Sequence, residues 1–200
     1  MPTARLTLLL HPVRIRLVNA MYAGGALTTS ELCARMPDLP KATLYRQVER
    51  LLRGGVFEVE SERQVRGTVE RRFRLAEGGA LVDEEAARSM TLEDHRRGFT
   101  AAMAALIGDF NVYLDRGDAD PLADQVSYRQ YTLWLRPQER SRLIREVWRT
   151  LVASSSNKPG AGRAPYVFST VFFPTSAGKP SERPRPGTTS RRSRSPPAAD

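Results

Sequence analysis

The segment Leu27-Thr28-Thr29-Ser30-Glu31-Leu32 fixes where one helix of this chain begins. Thr28 at the N-cap and Glu31 three residues later form a capping box, and Leu27 and Leu32 hold the positions of a hydrophobic staple. That helix can run only to about Met36, because Pro37-Asp38-Leu39-Pro40 breaks the chain. A longer helix follows at once, from about Lys41 to Arg53, and stops at Gly54-Gly55, where a glycine accepts the left-handed backbone.

The flanks complete the unit. His11 to Tyr22 reads as a preceding helix opened by Pro12, with apolar residues at 15, 18 and 22 and a stop at Gly24-Gly25. Leu44, Val48, Leu51 and Leu52 give the 41–53 helix one buried stripe. Its opposite face carries Ala42, Thr43, Arg46, Glu49, Arg50 and Arg53, with Lys41 at its start and Tyr45 and Gln47 on the flanks. After the glycines the period falls from 3.6 to 2. Val56 to Glu62 points Phe57 and Val59 inward, and Val69 to Leu75 does the same with Phe73 and Leu75. Residues 63–68 make a basic, glycine-containing hairpin tip, and Glu58, Glu60 and Glu62 lie opposite Arg71, Arg72 and Arg74.

Helix, short capped helix, turn, helix and basic hairpin is the layout of a winged helix-turn-helix, and it implies binding to double-stranded DNA. A recognition helix enters the major groove with its N-terminal residues at the base edges. Arg46 is placed to bond guanine, Thr43 and Ala42 to meet thymine methyls, and Gln47 to reach adenine from the flank. Arg50 and Arg53 suit phosphates, and Arg63 and Arg66 of the wing suit an adjacent backbone or minor groove. Lys41 and Tyr45 complete the expected contact set, with Tyr45 equally suited to supporting the helix.

Residues 11–77 resemble the DNA-binding domain of ArsR-like winged-helix regulators. The resemblance rests on His11-Pro12-Val13-Arg14, Leu27-Thr28-Thr29-Ser30-Glu31-Leu32, Lys41-Ala42-Thr43-Leu44-Tyr45-Arg46, Leu51-Leu52-Arg53-Gly54-Gly55-Val56 and the Val65-Arg66-Gly67 wing. It implies a homodimer on pseudo-palindromic promoter sites, acting mostly as a repressor, with an effector half after the DNA-binding domain. The metal-sensing members use paired cysteines. Cys33 is the chain's one cysteine, and only His11 and His95 could join it, so neither a metal site nor a cofactor is expected. Cys33 itself reads as a packing residue.

Charge supports the division of labour. The net charge is +9, and residues 1–80 carry 13 Lys/Arg against 8 Asp/Glu, whereas residues 81–173 carry 12 of each. A basic front and a neutral middle fit a binding module followed by a partner module. Thr91 starts a long helix to about Asp115 whose Phe99, Met103, Leu106, Phe110 and Tyr113 form a short heptad-like seam, suited to a bundle or dimer interface. Residues 126–135 and 165–173 look strand-like around a helix from Pro137 to Val152, which suggests a small α/β unit.

The expected fold class is therefore α+β: a winged helix-turn-helix over 8–77, a dimerisation or effector domain over 84–174, and a disordered Pro/Ser/Arg-rich tail over 175–200. No run approaches a membrane span, no nucleophile motif or phosphate loop suggests an enzyme, and a cytoplasmic location is expected. A small-molecule effector stays open. Two other readings of the same charge are a non-specific architectural DNA binder and a winged helix that docks an acidic protein.

Overall fold

The computed structural model describes residues 2–65, 67–78, 84–157 and 160–175. In chain order the elements are α1 (Pro2–Leu9), α2 (Pro12–Gly24), β1 (Leu27–Thr28), α3 (Thr29–Arg35), α4 (Lys41–Arg53), β2 (Phe57–Val65), β3 (Thr68–Leu75), α5 (Glu84–Ser89), α6 (Leu92–Leu114) and α7 (Pro137–Ser155). The fold is α+β, with a helix-turn-helix followed by a three-stranded antiparallel sheet of order β1-β3-β2. That sheet is the wing.

Local chemistry sets the boundaries. The Thr28 hydroxyl accepts from the Glu31 amide at 3.2 Å, and the Glu31 carboxylate accepts from the Thr28 amide at 2.7 Å. The second bond, more than any other influence, holds the Glu31 carboxyl below its ordinary range. At the end of α4, the Val56 amide donates to the Leu51 carbonyl and the Gly55 amide to that of Leu52, with Gly55 at φ +66°. This is a Schellman termination, and Val56 and Leu51 are both fully buried beside it.

The core of the helix-turn-helix gathers Leu17, Val18 and Met21 of α2, Leu32 of α3, Leu44, Val48 and Leu51 of α4, and Phe57 and Phe73 of the sheet. Each such side chain contributes about 1.5–3 kcal/mol by leaving water. Two expected inward residues are elsewhere. Tyr22 is exposed, because α2 buries the face of residues 17, 18 and 21. Val59 is exposed next to a register shift between Val59 and Ser61. The α1 helix was not expected from the sequence; its Leu6 is buried, and a Cβ on Gly54 would collide with the Leu8 side chain.

The chain divides into two compact units, one of residues 1–129 with 156–169 and one of 130–155 with 170–200. Within the first, α6 packs on α2 through its smallest residues. Ala101 and Ala105 are buried, and Gly108 leaves room for the Arg16 guanidinium, which a Cβ would meet at 3.0 Å. Thr91 caps α6 in a second capping box, with Asp94. The strands expected over 126–135 and 165–173 do not form; both segments are without regular secondary structure. Alternation marks an apolar side but supplies no neighbouring strand to bond. In the second unit α7 forms over the expected span and buries no residue. Residues 176–200, nearly all of the expected tail, lie outside the described residues.

Candidate nucleic-acid interface

One side of α4 is committed to the core, which leaves the other for a ligand. Lys41, Ala42, Tyr45, Arg46, Glu49, Arg50 and Arg53 are exposed, and Thr43 is half-buried. The helix starts on Pro40, whose carbonyl accepts from the Thr43 amide at 2.9 Å and the Leu44 amide at 3.1 Å. No side chain caps that end. Its first-turn amides therefore keep their partial positive charge toward whatever lies against the helix start. Tyr45 is 55% exposed, so it belongs to this surface rather than to the core.

Arg53 is held by Glu49, Nε to Oε1 at 2.9 Å, on a surface where such a pair is worth little. A phosphate can displace the glutamate at small cost. The start of α2 adds to the same basic field. Burial first, then the charges of Arg14 and Arg50, push the His11 imidazole pKa below its ordinary value. Burial and Arg50 also lower the Arg14 pKa. These shifts record that Arg50, Arg14 and His11 share one neighbourhood.

Gln47 is not part of the exposed face. It is 3% exposed, and its Oε1 accepts a bond at 3.0 Å from the Arg14 Nε. Helical angle alone puts Gln47 on a flank; the packing of α2 against α4 covers that flank. Its role is to fix Arg14, which also donates to the Leu8 carbonyl at the end of α1.

The wing is longer than the alternation suggested. Val65 pairs with Thr68, so the strands run on past residue 63, and Gly67 stands at φ +82°. Arg63 thus lies within β2 opposite Glu70, exposed, and not at the tip. Arg66 lies outside the described residues. Of the glutamates and arginines expected to face one another across the strands, Glu58 meets Arg74 and Glu62 meets Arg71. Arg72 breaks the pattern: it donates to the Ala26 carbonyl at 2.6 Å and stands 3.5 Å from the Glu31 carboxylate. Arg72 is paired with Thr28 of β1, so its guanidinium reaches the start of α3 and ties the wing there.

A residue that the sequence reading passed over holds the turn between α3 and α4. Arg16 of α2, 5% exposed, donates to both Asp38 oxygens at 2.6 and 2.8 Å and to Asp109 of α6 at 2.6 Å. Burial alone would lower its pKa, but the two carboxylates outweigh that and raise it. An arginine between the buried positions 17 and 18 and the start of α2, with an aspartate in the turn, was the available signal. Asp109, 93 residues away, gave none.

Comparison with known families then identifies the architecture. Residues 9–60 match a helix-turn-helix domain family. No curated protein matches the chain. The match spans α2 to the beginning of β2, so it includes the whole of α4 and the turn before it. A helix-turn-helix with a wing supports DNA binding. No helix among the described residues is long and apolar enough to cross a membrane.

Proposed function

We propose that this chain is a sequence-specific transcription regulator of the ArsR-like kind, a cytoplasmic homodimeric repressor whose α4 reads the major groove. The observation that carries the reading is the surface of α4: Lys41, Ala42 and Arg46 are exposed in its N-terminal half, with Thr43 half-buried beside them, while Leu44, Val48 and Leu51 anchor it. Arg46 is the base reader, with Ala42 and Thr43 beside it, and Lys41, Arg50 and Arg53 position the helix on phosphates. Arg63 and Arg66 carry the wing to the neighbouring backbone. A two-fold pair would place its recognition helices about one turn of DNA apart, roughly 34–36 Å.

The Arg16 junction supplies a route for control. A cleft of about 470 Å³ borders it, lined by Ala34, Pro37, Asp38, Val112, Asp115 and Arg116. A small molecule there would touch both the helix-turn-helix turn and the end of α6. It would regulate DNA binding only by preferring one arrangement of the two.

The test is selection from random duplex DNA with the full chain. Enrichment of an inverted repeat is the expected result. Binding without an enriched sequence would replace the regulator by an architectural DNA binder, and absence of binding at low salt would point to a protein partner.

A further inference from the structure

The side of α6 away from α2 is apolar and bare. Phe99, Ile107, Phe110 and Leu114 are 36–60% exposed, while Ala101, Ala105 and Gly108 occupy the opposite side against α2. The chain beyond residue 125 has the same character. All eight aromatic rings between Tyr128 and Phe173 are more than half exposed. On α7, Ile144, Val147, Trp148 and Val152 form one exposed apolar stripe. Exposed apolar surface on this scale marks an interface.

Charge says which partner fits. Apart from Asp109, which Arg16 holds, residues 115–124 carry four aspartates and one arginine, and residues 129–149 carry six arginines and two glutamates. These are opposite excesses on neighbouring stretches of one polypeptide. A second copy therefore offers a complement for each. The lengths agree as well: 23 residues of α6 and 19 of α7 span about 34 and 28 Å at 1.5 Å per residue.

We infer that residues 126–173 form an arm that covers the apolar side of α6 in a second copy of this chain, its arginines over the partner's aspartate-rich stretch. The inference rests on the homodimer proposed above and states how that dimer closes. Its size is sufficient. At roughly 150–250 Å² per ring, the exposed parts of the eight aromatics alone come to about 1,000 Å² per protomer. Two copies together reach about 2,000 Å², the lower edge of obligate homodimer interfaces. The strand-patterned segments 126–135 and 165–173, which form no strand in the single chain, gain a surface to lie on.

The experiment uses the full chain with Trp148 replaced by photoreactive benzoylphenylalanine. Equal amounts of ordinary and ¹⁵N-labelled protein are unfolded and refolded together, irradiated, and mapped by mass spectrometry. Light scattering of the unmodified chain gives the assembly state alongside. The expected result is a dimer of the 22.3 kDa chain with crosslinks on residues 99–114, about half of them joining peptides of different isotope. A monomer, crosslinks confined to one isotope, or crosslinks that land on the partner's α7 would each overturn the arm. An enriched inverted repeat in any of those cases leaves the regulator reading standing. The expected crosslinks without duplex binding would keep the arm and remove the regulator.

Discussion

The Arg16 Nε donates to the Asp109 carboxylate at 2.6 Å, joining α2, the helix that supports the helix-turn-helix, to the long helix that follows the wing. The same guanidinium grips Asp38 in the turn before α4. One buried cation thus couples the aim of α4 to the position of α6. Removing one member of a buried ion pair costs about 3–5 kcal/mol. Asp38 and Asp109 keep 33% and 27% side-chain exposure and can rehydrate. The Arg16→Met substitution should therefore cost about 3 kcal/mol in urea unfolding. Asp109→Asn should cost less, because both bonds to Asp38 remain. Equal losses would show that Asp38 is not the stronger anchor.

Acid should unfold the domain in two stages. The folded His11 pKa lies below 6.5, so the unfolded chain takes up a proton that the folded chain resists, and stability falls as pH drops below about 6.5. The Asp38 carboxyl is held below 3.8 chiefly by its bond from Arg16. Its stabilising share is present above 3.8 and disappears as pH falls through the lower folded value. Urea midpoints measured against pH should show the upper stage flattened by His11→Gln and the lower one flattened by Asp38→Asn. An upper stage unchanged in His11→Gln would assign that titration to another group.

Two arginines on one strand should behave differently. Arg72→Ala loses a charged bond to the Ala26 carbonyl and loosens the wing from α3, for about 1–2 kcal/mol in thermal unfolding. Arg71→Ala loses only an exposed pair with Glu62, worth about 0.2–1 kcal/mol. Similar costs would mean that the wing is not held through Arg72.

Gln47→Ala should reduce stability by about 1–2 kcal/mol through the stranded Arg14, and leave the base preference of the DNA-selection experiment unaltered. A changed preference at one base position would return Gln47 to the reading face.

These cases show what the sequence could and could not disclose. The Thr28–Glu31 box and the Gly54-Gly55 stop were legible because their partners lie within a few residues. The α4 stripe and the Glu58–Arg74 pair were legible because a period of 3.6 or 2 marks faces; Arg71 falls in step with Phe73 and meets Glu62 only past the register shift. Periodicity does not say which neighbour covers a face, so Gln47 was assigned to DNA although α2 buries it. One register shift in β2 puts Ser61 rather than Glu60 opposite Arg72. Arg16 was hidden because its partners stand 22 and 93 residues away. Residues 126–135 and 165–173 carry strand patterning without a strand, since a pattern cannot provide the edge it would pair with.

The most direct test of the central claim compares wild type with Arg46→Ala on the selected duplex and on a scrambled one, over a range of salt. Loss of about 1–3 kcal/mol, roughly 5- to 150-fold, on the selected duplex at one base position, with little change on the scrambled control, is the predicted result. Equal weakening on both duplexes would make Arg46 a phosphate contact and contradict the reading of α4 as the element that recognises sequence.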